Sequence, residues 1–223
     1  MTQNLPNQNP IPQILAKFVE PQINLPNNSK RELILQMGNK LNAFTKRNKD
    51  ISHINHSIYH LLLDPFTIDN AYSNLSKNKG SLTEGIIPGN IDGYSRSETL
   101  EIINKLKTQT YTPNPVKRVW VPKPGKTTKR PLGIPTFQDR VVQEALRGIL
   151  EAIYEPEFQA FEKQHYKVSN FGFRPNKNCW NAIEHFTQYG QGSTFVIEGD
   201  IKGAYDNVSF PILLNILKKT NQR

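Results

Sequence analysis

The chain has 223 residues, enough for one domain or two small ones, with 36% hydrophobic residues and a net charge of +9. No apolar run is long enough to span a bilayer, and the single cysteine, Cys179, excludes an internal disulfide and a cysteine-rich zinc site. The polar N-terminus, whose first arginine is Arg31, has neither the build of a secretory signal nor the arginine richness of a transit peptide.

Residues 1–28, rich in Pro, Asn and Gln, read as an irregular tail. Residues 29–110 read as a basic, mostly helical region. Its first helix opens on a Ser29-x-x-Glu32 capping pattern and continues through Leu33, Met37, Leu41 and Phe44 at helical spacing. "ISHINHSIYHLLLDP" predicts a second helix, closed at Asp64-Pro65, with His53, His56 and His60 on one face. No carboxylate or general base is set among those histidines, so a polar face is the better reading than a zinc site. A third helix is expected from Ile68 to Leu75. The Gly- and Asn-rich "NKGSLTEGIIPGNIDGYS" is a loop, and a short helix follows with Ser97 as its expected cap.

Residues 111–190 open on "PVKRVWVPKPGKTTKRPLGIP", which predicts a hairpin with its turn at Lys123–Thr128. An amphipathic helix ending at Pro156 is expected next, with Val142, Leu146, Ile149, Leu150 and Ile153 inward. Another should bury Ala182, Ile183 and Phe186. Residues 191–223 begin with "TFVIEGDI", an apolar run of the kind found in buried strands, and end with a further helix. Helices, a hairpin, helices and one strand make an α+β chain.

The charge is unevenly placed. Residues 1–130 hold 18 Lys and Arg against nine Asp and Glu, whereas residues 131–223 hold ten of each. The whole excess therefore lies in the first part. It is densest at Lys117, Arg118, Lys123, Lys126, Lys129 and Arg130, where no acid intervenes. Such a surplus attracts polyanions, although it also reads as a solvated basic surface. A basic hairpin turn presents N–H groups and cations to phosphate. Arg174, in "FGFRPNKN", precedes a helix start with Asn176 as its expected cap, where phosphate can bind. Asp200 ends the apolar strand, where a carboxylate is costly unless a cation or donors meet it. Mg²⁺ takes such hard oxygen ligands. Taken alone, Asp200 reads equally as a strand-end carboxylate bonded to backbone, and Asp206 before Asn207 as a turn cap.

"RVWVPKPGKTTKRPLGIPTFQDRVVQEAL", "FGFRPNKN" and "DIKGAYDNV" occur in the order and at about the spacing found in group II intron-encoded reverse transcriptases, or maturases. The chain resembles that family over about Ile68 to Leu217, and "NKGSLTEGIIPGNIDG" resembles the family's N-terminal loop, with a longer span between glycines. The resemblance implies right-hand polymerase fingers and the beginning of a palm, preceded by a helical N-terminal extension, with RNA as partner and Mg²⁺ as cofactor. It implies that Asp200 is the first metal-binding palm carboxylate and that Ile201 lends its carbonyl to the metal. Tyr205 matches the aromatic that lies under the sugar and excludes a 2′-hydroxyl. Lys123 and Arg130 match the grip on the incoming triphosphate, with one more residue between them than is common.

The family takes two further carboxylates from a Y-x-D-D turn, and no two acidic residues are adjacent anywhere in this sequence. The expectation is an N-terminal segment that binds intron RNA through Lys117, Arg118, Lys126, Lys129 and Arg174. It would act in DNA synthesis and splicing only with a second chain carrying the rest of the palm and the thumb. A non-catalytic RNA-binding derivative of such an enzyme is the alternative. A reverse transcriptase of another retroelement is disfavoured by "RPLGIPTFQDRVVQ". An Asn-, Ile- and Lys-rich composition fits an AT-rich genome, and so an organelle, mitochondrion or chloroplast, ahead of a bacterial cytoplasm.

Overall fold

The computed structural model describes residues 40–125 and 127–222. The expected tail, the Ser29–Glu32 cap, Leu33, Met37 and Lys126 lie outside these residues. Helix α1 covers residues 40–47, and its Leu41 and Phe44 pack on the core as their spacing requires. After it come β1 (Asn55–His56), α2 (Tyr59–Leu62), α3 (Pro65–Ser76) and α4 (Arg96–Lys107). The hairpin strands β2 (Lys117–Pro122) and β3 (Lys129–Ile134) lead into α5 (Phe137–Gln164). The chain then forms α6 (Cys179–Tyr189), α7 (Phe210–Thr220) and β4 (Asn221–Gln222).

The helix expected over residues 51–65 is reduced to the four residues of α2. Asn55 and His56 are instead extended and pair in parallel with Asn221 and Gln222, and Ser57 turns the chain with φ +56°. Asn55 is buried and exchanges side-chain hydrogen bonds with Asn48 at 2.8 and 3.2 Å, while its Nδ2 also reaches the Thr220 carbonyl at 3.3 Å. These long-range bonds override helix periodicity, so His53, His56 and His60 do not share a helix face. Asp64 closes nothing; it caps α3 by accepting from the Phe66 N–H at 3.1 Å, with Pro65 at the first helical position. Ser95, rather than Ser97, precedes α4, and its N–H donates to Glu98 Oε2 at 2.8 Å.

One core joins the two regions that the sequence divides near residue 110. Ile68 of α3, Ile102 of α4 and Val141 of α5 are its most deeply buried aliphatic side chains. Tyr72 stacks on Tyr94 with ring centroids 4.9 Å apart, and Phe137 meets Tyr94 edge-on at 5.5 Å. Val142, Ile149 and Ile153 point inward as expected, but Leu146 is exposed. Helix α5 runs 28 residues and passes through Pro156, where the sequence places its end. Proline removes one intrahelical bond there. Pro156 is buried, and the turns beyond it are held by side-chain bonds described below.

The C-terminal part departs most from expectation. The run from Phe195 to Ile201 forms no strand, and Phe195 and Ile197 are almost fully exposed. A strand exists only with a ladder partner, and among the described residues none pairs with this run. Ile183 and Phe186 of α6 are likewise exposed, as are Ile212, Leu214 and Ile216 of α7. No helix of the described residues is long and apolar enough to cross a membrane.

Candidate nucleic-acid interface

The β2–β3 hairpin places most of the residues singled out by charge. It is antiparallel, with Lys117 opposite Ile134, Val119 opposite Leu132 and Val121 opposite Arg130. The Lys123 N–H bonds to the Thr128 carbonyl at 3.2 Å and extends the ladder to the turn. Gly125, with φ +67°, takes a turn conformation that side chains disfavour. Side chains alternate between the faces of a strand. The register therefore puts Lys117, Lys123 and Arg130 on one face and Arg118, Trp120 and Lys129 on the other. Both strands are largely exposed, and among the described residues none of these five cations enters an ion pair.

The base of the hairpin is fixed by a residue that sequence reading gave no role. Asp139 is 2% exposed, and its carboxylate accepts from the Tyr111 hydroxyl at 2.5 Å and the Thr136 hydroxyl at 2.5 Å. It also accepts from Asn114 through the backbone N–H at 3.1 Å and the side-chain amide at 3.2 Å. The signal was Thr136-x-x-Asp139 ahead of an apolar helix, which resembles a capping box with a shorter acid. Burial pushes the Asp139 carboxyl up, but the bonds from Thr136, Tyr111 and Asn114 outweigh it and hold the group below the ordinary carboxylate value. Its stabilisation is complete above the unfolded pKa and is lost as pH falls through the depressed folded one. Asp139→Ala is expected to cost roughly 2–3 kcal/mol near neutral pH, since the bonds are to a buried charge, and the difference should shrink in acid. Urea unfolding of both proteins at the two pH values measures it; equal stability at neutral pH would refute the role.

The Gly-rich loop docks at the same junction. A Cβ on Gly85 would lie 2.7 Å from the Pro135 carbonyl oxygen and 2.8 Å from Thr136 Cα, so the close approach needs glycine. Arg140 donates to the carbonyls of Gly80 at 2.8 Å and Thr83 at 2.5 Å while lying over the Phe137 ring. Loop, hairpin base and the start of α5 thus form one unit.

Arg174 is not at a phosphate-binding surface. It is 8% exposed, and its guanidinium grips Glu155 with Nε at 3.0 Å and Nη2 at 2.8 Å. Nη1 donates to Glu162 and, at 3.1 Å, to the Asn170 carbonyl. The carboxylates lie seven residues apart on α5, two turns along one face, and outcompete a ligand for the arginine. The helix after it begins at Cys179 with Asn178, not Asn176, as cap; Asn178 accepts from the Asn181 N–H at 3.0 Å.

Asp200, Ile201 and Tyr205 lie in an exposed stretch that turns at Gly203 (φ +61°) and passes through a 3-10 turn at Tyr205–Asn207. The Asn207 amide closes it by donating to the Gly203 carbonyl at 2.8 Å. Asp200 and Asp206 supply hard oxygen donors suited to Mg²⁺. They do not by themselves fit a two-ion centre, which shares several carboxylates. Among the described residues no three His, Cys, Asp or Glu side chains gather as a metal group.

Residues 121–223 match the reverse transcriptase (RNA-dependent DNA polymerase) family. The chain is 40% identical over 169 residues to the group II intron-encoded protein LtrA of Lactococcus lactis, across 76% of this chain and 27% of that protein. This chain belongs with the group II intron reverse transcriptases. It is also 36% identical over 184 residues to an uncharacterized 91 kDa protein in the cob intron of Schizosaccharomyces pombe, covering 80% of this chain and 21% of that one. The nuclear intron maturase 1, mitochondrial, of Arabidopsis thaliana shares 35% identity over 85 residues, 38% of this chain and 11% of the maturase. The chain spans about a quarter of the length of LtrA and about a fifth of the Schizosaccharomyces protein.

Proposed function

We propose that these residues are the fingers and the opening of the palm of a group II intron reverse transcriptase and maturase, preceded by a basic helical extension. They bind intron RNA and contribute to RNA-templated DNA synthesis and splicing together with polypeptide that carries the remaining palm carboxylates and the thumb. One observation carries the reading: the hairpin register brings Lys123 and Arg130 to one exposed face beside the turn. Two cations there can hold a triphosphate as point charge and fork. Once the palm is complete, Asp200 and the Ile201 carbonyl would hold Mg²⁺ and Tyr205 would lie under the nucleotide sugar, and the ion would supply activation of the attacking oxygen. Arg174 contributes indirectly, by holding the chain beyond α5. The exposed apolar faces of α6 and α7 fit surfaces that pack against further polypeptide. An organelle or a bacterium is the proposed setting, since the named relatives include a mitochondrial maturase and a bacterial intron protein.

Charge reversal tests the RNA assignment. Replacing Lys123, Lys126 and Arg130 with glutamate should weaken binding to structured RNA. It should also flatten the salt dependence by roughly one unit of log–log slope for each phosphate no longer neutralised. Unchanged affinity and slope would show that the hairpin is not the RNA surface.

A further inference from the structure

The second face of the hairpin combines features that the triphosphate grip does not use. Trp120 is 56% exposed, and the register sets it opposite Pro131. Arg118 lies two residues before it on its own strand, opposite Gly133, where the Val116 side chain occupies the space a Cβ would take. Lys129 lies opposite Pro122, two residues beyond Trp120. The two cations therefore flank the indole at about 7 Å along the strands on either side. Among the described residues no aromatic ring stacks on Trp120 and no cation lies over it. An exposed tryptophan is costly in water, and here it is flanked by positive charge with no acid on either strand.

We propose that this face binds single-stranded RNA, with an unpaired base stacked on the Trp120 indole and the neighbouring phosphates met by Arg118 and Lys129. The inference rests on the reading of the hairpin as an RNA surface and adds a stacking platform separate from the Lys123 and Arg130 face. Every base offers a ring face, so the platform tolerates sequence and prefers unpaired strands. A protein partner for the same tryptophan would meet a surface whose charge calls for a strongly acidic sequence; RNA supplies that charge in every residue.

The test uses the 223-residue chain and a fluorescently labelled oligouridine, with the same strand annealed to its complement as comparison. Trp120→Ala should weaken single-strand binding on the order of ten-fold, with the salt slope unchanged and duplex binding little altered. Trp120→Phe should keep most of the affinity. In a Trp180→Phe background, which leaves Trp120 as the only tryptophan, indole fluorescence should be quenched as oligouridine is added. Arg118→Ala and Lys129→Ala should each lower the salt slope. If the charge variants weaken binding while Trp120→Ala does not and the indole is not quenched, stacking is overturned and the RNA surface stands. If neither set matters, both readings fall. An indole signal that shifts with protein concentration without RNA assigns the face to self-association and overturns the proposal.

Discussion

Arg174→Ala is expected to cost about 3 kcal/mol, and the loss should appear first in the segment beyond Tyr154. The cost follows from what remains. Without the guanidinium, Glu155 and Glu162 are two half-buried carboxylates on one helix face, and removing one partner of a buried ion pair typically costs 3–5 kcal/mol. Lys177 relieves part of this, since its Nζ reaches Glu162 Oε2 at 3.2 Å. The core cluster ends at Ile153, so the last turns of α5 and the loop over residues 165–178 depend on the arginine more than the body does. Hydrogen exchange should therefore show reduced protection over 155–178 before global unfolding. The pH dependence has a sign. Burial alone would raise the Glu162 carboxyl, but bonds from Ser169, Lys177 and Arg174 hold it down at about 2. Its contribution is present above the unfolded carboxylate value and disappears as pH falls toward that lower one. Arg174→Lys should rescue little, because a lysine cannot make the paired bonds to Glu155. Wild-type protection in the alanine variant would refute this account. Protection reduced only on the other side of the molecule would do the same.

The 223-residue chain alone should extend no primer on an RNA template with Mg²⁺, even though it carries Asp200. Two ions need several shared carboxylate oxygens, and Asp206 lies six residues beyond Asp200, past a turn at Gly203. Water can fill one coordination shell but cannot fix a second ion against the 3′-oxygen. Forfeiting that placement removes several kcal/mol of transition-state stabilisation, on the order of a thousand-fold or more in rate. Adding a polypeptide with a Y-x-D-D turn should restore extension, and Asp200→Ala should abolish it again. Extension by the chain alone that depends on Asp200 would overturn the reading. RNA binding without any complementation would favour the non-catalytic alternative.

The elements that sequence placed well are those whose signal is local. Gly125 and the short apolar arms on either side of it define the hairpin, and the apolar spacing of Val142, Ile149 and Ile153 defines α5. What it misplaced depends on partners far along the chain. Asn55 is extended because Asn48, Thr220 and Asn221 meet it, and no window around His53–His60 contains that fact. Asp139 and Arg174 show the same limit in the site. Asp139 carried no role in the sequence and Arg174 read as a phosphate-binding residue before a helix, and partners up to 28 residues away decide that both face inward. The run Phe195–Ile201 has the composition of a buried strand, but composition supplies no ladder partner.

The hairpin has a consequence for how copies of this chain behave toward one another. Two strands alone leave two unpaired edges, and an unpaired edge is a template for another strand. Pro122 and Pro131 each lack an N–H to offer, and Lys117, Arg118, Lys129 and Arg130 make the approach of a second identical hairpin repulsive. The cations of the proposed RNA surface thus also keep neighbouring molecules apart. That protection is electrostatic and fades as salt shortens the screening length toward about 3 Å at molar concentration. Molar salt therefore removes the barrier to edge pairing, so self-association of this chain should rise with ionic strength and fall again on dilution into low salt.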